Sequence, residues 1–219
     1  MKGLRNPGMI CALCVSVICL VIASLGDANA MPPPKYPLGG SISWPQRSQH
    51  RPVTHLMMGS FKVKLEETTL RQVIGAAGNG EIAHQGDAGE SIYWLCYTTP
   101  NERVWIIADG EMGGEEHRVG QIVAREIRGV QSTKVCPSLS SNLLPLYLDK
   151  SIWLGTTKEK ATHILGAPSH TDSSWQSYNY SGKVPGECSP EGFDLLNWLL
   201  LTVEGGKVVE LRAGQVTSC

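Results

Sequence analysis

Thr68-Thr69-Leu70-Arg71-Gln72-Val73-Ile74-Gly75-Ala76-Ala77-Gly78 and Thr156-Thr157-Lys158-Glu159-Lys160-Ala161-Thr162-His163-Ile164-Leu165-Gly166 are the two stretches that decide how this chain is read. Both open on a threonine pair and close on a glycine at the same spacing. Each leads into an aromatic segment, Tyr93-Trp94-Leu95-Cys96-Tyr97 in the first case and Trp175-Gln176-Ser177-Tyr178-Asn179-Tyr180 in the second. An apolar run with one tryptophan follows each, Val104-Trp105-Ile106-Ile107 and Leu196-Asn197-Trp198-Leu199-Leu200-Leu201. Self-similarity of this kind predicts one supersecondary unit used twice.

Within each unit the periods name the elements. Thr69 with Gln72 fits a capping box, and Leu70, Val73, Ile74 and Ala77 follow at helical spacing. Thr156 with Glu159 suggests the same device, and Gly166 with Pro168 stops the second helix. Ser91 to Thr98, Arg103 to Ala108 and Val119 to Ile127 read as strands of the first unit. In the second, Trp175 to Tyr180 and Leu195 to Val203 are strands, and Gly205-Gly206 turns a tight hairpin into Val208 to Leu211. Neither helix is long enough to stand alone, so each must lie on a sheet. The expected class is α+β: two tandem units, each with short helices packed on one face of an antiparallel sheet. Their spans are 61–136 and 152–219, joined by a linker at 137–151.

The first thirty residues read as an address. Lys2 and Arg5 give a basic start, Met9 to Leu25 is apolar, and Ala28-Asn29-Ala30 offers a small-residue cleavage site. That is the layout of a signal peptide over 1–30, with a retained anchor as the rival. Residues 31–60 carry Pro32-Pro33-Pro34, Pro37, Pro45 and Pro52 and read as a proline-rich arm, dispensable for folding. Beyond residue 30 the charges nearly balance and no basic stripe appears, which argues against nucleic acid.

Four cysteines lie beyond the signal: Cys96, Cys136, Cys188 and Cys219. They allow three pairings. Two fall in each unit, so the repeat selects Cys96–Cys136 and Cys188–Cys219. Zinc is the alternative, but no C-x-x-C spacing occurs, and export favours disulfides.

The string Leu154-Gly155-Thr156-Thr157, then Leu165-Gly166-Ala167-Pro168, then Val203-Glu204-Gly205-Gly206-Lys207-Val208, resembles a unit found in two groups. One is the small outer-membrane lipoproteins of the SmpA/OmlA type. The other is the β-lactamase inhibitory protein, which carries two such units in tandem with a disulfide in each. The resemblance covers residues 61 to 219 and implies helix-plus-sheet units and a role in envelope assembly or in inhibiting another protein. The chain departs from it at Glu66-Glu67 and at Gly78-Asn79-Gly80, and it lacks the lipid-attachment cysteine. No inhibitory residue transfers.

No catalytic motif is present: no G-x-S-x-G, P-loop, dinucleotide fingerprint or H-E-x-x-H. Asp87, Glu90, Glu115 and Glu116 sit in glycine-rich stretches and read as solvated. No metal, cofactor or enzymatic role is expected. The chemistry lies in the aromatics: six tryptophans and six tyrosines against two phenylalanines. Trp and Tyr combine apolar area with a polar handle and dominate interface energetics. In Leu195 to Val203, Leu199, Leu201 and Val203 share one face, while Trp198, Leu200 and Thr202 share the other. The expected partner-binding residues are Trp105, Trp198, Leu200, Tyr178 and Tyr180. The chain therefore reads as an exported protein-binding module of the bacterial cell envelope, periplasmic or secreted. The rival reading is a periplasmic enzyme or small-ligand carrier.

Overall fold

The computed structural model describes residues 31–34, 47–86, 91–109, 116–129 and 131–219. The expected signal peptide, Asp87, Glu90 and Glu115 lie outside the described residues.

Threonine capping holds as chemistry and shifts by one residue in the second helix. Helix α1 spans Leu70–Ala77, and the Thr69 hydroxyl accepts from the Gln72 amide while the Gln72 side chain accepts from the Thr69 amide. Gly78 ends it in the left-handed region at φ 74°, where glycine carries no Cβ penalty. Helix α2 spans Lys158–Leu165, and its cap is Thr157, which accepts from the Lys160 amide at 3.2 Å. Thr156 instead accepts from the Trp153 amide. The expected Thr156–Glu159 box is therefore not the cap.

The strands are β1 His55–Met58, β2 Phe61–Lys64, β3 Ala83–Gln85, β4 Ile92–Thr98, β5 Glu102–Asp109, β6 Gln121–Glu126, β7 Leu146–Leu148, β8 His170–Thr171, β9 Trp175–Val184, β10 Phe193–Glu204 and β11 Lys207–Ser218. Six match expected strands, with Val119 to Ile127 shortened to Gln121–Glu126, and β1, β2, β3, β7 and β8 are additional. Eight form one sheet in the order β3-β4-β5-β6-β11-β10-β9-β8, with every pairing antiparallel. The order runs inward from both edges and joins β6 to β11 at the centre. Gly205 and Gly206, both at positive φ, turn β10 into β11. The protein is thus α+β and dominated by strands.

Several backbone bonds recur at corresponding places. Val119 donates to the Thr68 carbonyl as Val208 does to that of Thr156. Leu70 donates to His117 as Lys158 does to Gly206. Each helix start is thereby tied to the turn or strand at the far end of its own stretch of chain.

A second sheet, β2-β1-β7, revises the outer boundaries. β1 lies inside the stretch expected to be a dispensable arm, and Val53, Leu56 and Met58 are fully buried. β7 lies inside the expected linker and contributes buried Leu146 and Leu148. Gly59, at φ 58°, makes the β1–β2 hairpin possible; a Cβ there would meet the Asn142 carbonyl at 2.3 Å. Val53, Leu56, Met58, Leu143, Leu146, Leu148 and Ile152 therefore belong to the core.

That core is one continuous cluster on one side of the large sheet. It holds Leu95, Tyr97, Val104, Ile106, Ile122, Ala124, Tyr178, Leu199, Leu201, Leu211 and Ala213 from the sheet. Leu70, Val73 and Ala77 of α1, Ala161 of α2 and the small sheet belong to the same cluster. The opposite, outer face is covered differently.

Candidate binding face

Strand parity assigns the outer face residue by residue. One cross-strand row runs Trp94, Ile107, Gln121, Gly214, Trp198, Asn179 from β4 to β9. The next runs Cys96, Trp105, Val123, Arg212, Leu200, Ser177. A third contains Arg103, Arg125, Glu210, Thr202 and Trp175. The structure therefore brings Trp105, Trp198 and Leu200 onto one surface, as parity implies.

Tyr178 and Tyr180 do not join them. Tyr178 pairs with Leu199 in register, sits wholly inside the main core and points to the helix side. Burial pushes its hydroxyl pKa up, against a bond to Thr162 that pulls it down. Tyr180 has the same parity, and its ring runs along Gly182, where a Cβ would meet its hydroxyl. These two residues form no part of the tryptophan face. Their own β9 strand alternation sets them on the other side.

The β4–β6 end of the face is closed. Trp94 is 3 % exposed and Trp105 2 %. They share a small cluster with Ile107, Val123 and both cysteines of the Cys96–Cys136 disulfide. What lies over them is the start of the expected arm. The Met31 carbonyl accepts from Trp94 Nε1 at 3.1 Å and from Trp105 Nε1 at 2.9 Å. Arg103 donates to Met31 Sδ, and Arg212 donates to the Pro34 carbonyl. Both arginines are buried, at 9 % and 6 % exposure. Burial lowers the pKa of Arg103, because a charge removed from water is disfavoured.

From Met31 at β4 and β5 to Pro34 at β11, the segment crosses the strands. The chain is next described near the far edge of the sheet, where the Ser48 amide bonds the Asn179 carbonyl on β9 at 2.7 Å. Asn197 then clasps Val53 from the helix side, accepting from its amide and donating to its carbonyl. The stretch thus starts on the outer face and ends in the core.

The β10–β11 end is more open. Trp198 lies half-buried across Gly214, whose missing side chain makes the room: a Cβ there would meet the indole at 2.3 Å. Beside it, Leu196 and Val216 are register partners on the same face, 38 % and 41 % exposed. Two exposed aliphatics thus lie next to the tryptophan, while Leu200 of the neighbouring row is buried.

Sequence reasoning missed Met31, Arg103 and Arg212. The signal for Arg103 was available, since it alternates in phase with Trp105 along β5. Elsewhere the site chemistry is sparse. Among the described residues no three His, Cys, Asp or Glu side chains gather as metal ligands. The cavity near the β10–β11 hairpin is lined by Arg125, Glu126, Arg128, Glu204, Lys207 and Glu210, a charged and solvated set. The second disulfide, Cys188–Cys219, ties the β9–β10 loop to the end of β11. No described helix is long and apolar enough to cross a membrane.

No family model matches the chain, and no curated protein does. Among solved structures it is similar to one described as a "putative beta-lactamase inhibitor protein" from Streptococcus mutans, at 10 % identity and a TM-score of 0.25, covering 73 % of this chain and 84 % of that one.

Proposed function

We propose that this chain is an exported protein-binding module of the bacterial cell envelope, built from a duplicated helix-plus-sheet unit, which binds another protein on the outer face of its large sheet. One observation carries the reading. The outer face places Trp94, Trp105 and Trp198 with Leu200, Leu196 and Val216 on the side away from both helices, and a short peptide segment already lies on part of it. A face that satisfies two of its indole donors, those of Trp94 and Trp105, on a peptide carbonyl has the chemistry to hold a second chain. Tryptophan beside arginine is also the composition of interface hot spots.

Export rests on the signal layout together with two disulfides, which persist in oxidising compartments. The rival, an enzyme or small-ligand carrier, lacks a supporting observation among the described residues.

Site-specific photo-cross-linking tests the reading. A photoreactive side chain placed at Leu196 or Val216 should trap one discrete partner from envelope extract, and excess unlabelled chain should abolish the band. The same probe at Glu159, exposed on α2, should trap nothing comparable. Equal trapping at all three positions would overturn the assignment of the face.

A further inference from the structure

The side chains that hydrogen-bond to residues 31–34 are donors without acceptors. An indole offers one N–H, and a guanidinium offers five with no acceptor. Trp94, Trp105, Arg103 and Arg212 therefore present a wall that can only donate. An ordinary extended peptide brings an amide N–H at each residue, and against such a wall those groups lose water without gaining a partner. Leaving a buried donor unmade is costly.

Met31-Pro32-Pro33-Pro34 is the complementary object. Proline has no backbone N–H, so three successive residues offer carbonyls and no donors. Each proline fixes its φ near −65° and bars the preceding residue from the helical region. The segment is therefore held extended, with little conformational freedom to lose on docking. Carbonyls at Met31 and Pro34 are the two that the wall uses. Aromatic-lined grooves elsewhere recognise proline-rich chains on the same physical grounds.

The location of the segment adds a second argument. The bond expected to be cut during export lies directly before Met31, which makes the segment a free chain end. Met31 is 40 % exposed and Pro32 is exposed as well, so the occupant rests on the wall without being engulfed by it. A chain end held this way leaves without breaking the core, unlike residues 53–58.

We propose that the wall formed by Trp94, Trp105, Arg103 and Arg212 is a binding site for an extended proline-rich segment of a partner protein, and that Met31–Pro34 occupies it in cis until such a segment displaces it. This rests on the protein-binding reading above and names the class of peptide that the closed end of the face accepts. A tethered occupant competes at an effective concentration near the millimolar range. The native chain should therefore take a peptide in trans only weakly, and loosening the tethered segment should unmask the site.

The test uses the processed full chain and a labelled hexapeptide of residues 31–36, Met-Pro-Pro-Pro-Lys-Tyr. A variant combining Pro32→Gly, Pro33→Gly and Pro34→Gly restores backbone freedom and amide donors to the occupant. It should bind the hexapeptide at least about tenfold more tightly than the native chain does. Adding Trp105→Phe to that variant keeps an aromatic ring at the site and removes the indole donor. It should weaken binding several-fold while circular dichroism stays native. A control peptide with alanines in place of the prolines should bind at least about tenfold more weakly. Equal affinity of the two peptides would overturn the proline class. Equal affinity of the native and glycine chains, or no binding by either, would overturn the tethered occupant. The cross-linking experiment stays independent. A partner trapped at Leu196 with no hexapeptide binding sinks this inference alone, and hexapeptide binding with no trapped partner sinks the protein-partner reading alone.

Discussion

The two ends of the outer face solve the same problem in opposite ways. Both carry tryptophan on a sheet surface turned away from the helices. At the β4–β6 end, Trp94 and Trp105 are sealed by a disulfide, by Val123 and by a peptide segment that accepts from both indoles. At the β10–β11 end, Trp198 is accommodated by a glycine, and Leu196 and Val216 stay open beside it. A tryptophan's position on its strand therefore does not settle its energetic role. Its cover does: the sealed pair contributes to folding, and the open end leaves Leu196 and Val216 partly in water.

The largest expected effect falls on the sealed end. The Cys96–Cys136 bridge closes a loop of 40 residues and Cys188–Cys219 one of 31, so chain entropy alone makes each worth roughly 4 kcal/mol. Cys96 and Cys136 are also buried among the tryptophans, whereas Cys219 is exposed. Replacing Cys96 and Cys136 together by alanine adds a cavity of order ~1 kcal/mol to the loop term. Denaturant titration should rank that double variant below the Cys188→Ala/Cys219→Ala chain. The reverse ranking would break the contrast between the two ends.

Next comes Trp105→Ala. A fully buried tryptophan truncated to alanine costs ~3–5 kcal/mol, which lowers the melting temperature by roughly 10 °C in a domain of this size. Trp198→Ala, half-buried, should cost about half as much or less. Thermal melts showing equal losses would mean that Trp198 is as much a core residue as Trp105.

Much of this contrast was legible in the sequence, and the part that was not has physical causes. The alternation in Leu195 to Val203 put Trp198 and Leu200 opposite Leu199 and Leu201, because a period of two allows no other arrangement once one face is buried. Thr69 and Gln72 declared the first helix, and Gly205-Gly206 declared a hairpin. The threonine pair at 156 and 157 was ambiguous, since either hydroxyl can cap and tertiary contacts chose between them: Thr156 bonds Trp153 instead. β1 and β7 escaped notice because strands of four and three residues carry almost no period, and they pair across some ninety residues of chain. Gly59-Ser60 between His55-Leu56-Met57-Met58 and Phe61-Lys62-Val63-Lys64 was the available hairpin signal. Tyr178 and Tyr180 were grouped with the tryptophans on composition, although their own alternation separates them from Ser177 and Asn179. The docking of residues 31–34 had no periodic signal, because parity says nothing about what covers a face.

A smaller effect sharpens the account of the open end. Gly214→Ala places a methyl group where the Trp198 indole lies, at 2.3 Å from the ring. The ring must leave its seat or β11 must shift, a strain of ~1–3 kcal/mol. The expected signature is a red-shifted tryptophan emission with modest loss of stability. An unchanged spectrum would place the indole elsewhere.

The smallest effect on folding is the most informative about function. Leu196 and Val216 face each other across the β10–β11 ladder, and each keeps about two-fifths of its surface in water. Replacing both by serine removes little buried area, so stability should change by no more than ~0.5 kcal/mol. An apolar pair serving only the fold would leave every other property unchanged. A pair serving a partner would not, because truncating anchor side chains in an interface commonly costs more than ~1 kcal/mol of binding each. The Leu196→Ser/Val216→Ser chain should therefore melt with the native protein yet compete poorly in the Trp198-side cross-linking assay, by roughly tenfold or more. Competition at native strength would show that the exposed pair is incidental and that any partner docks only at the end now covered by Met31–Pro34.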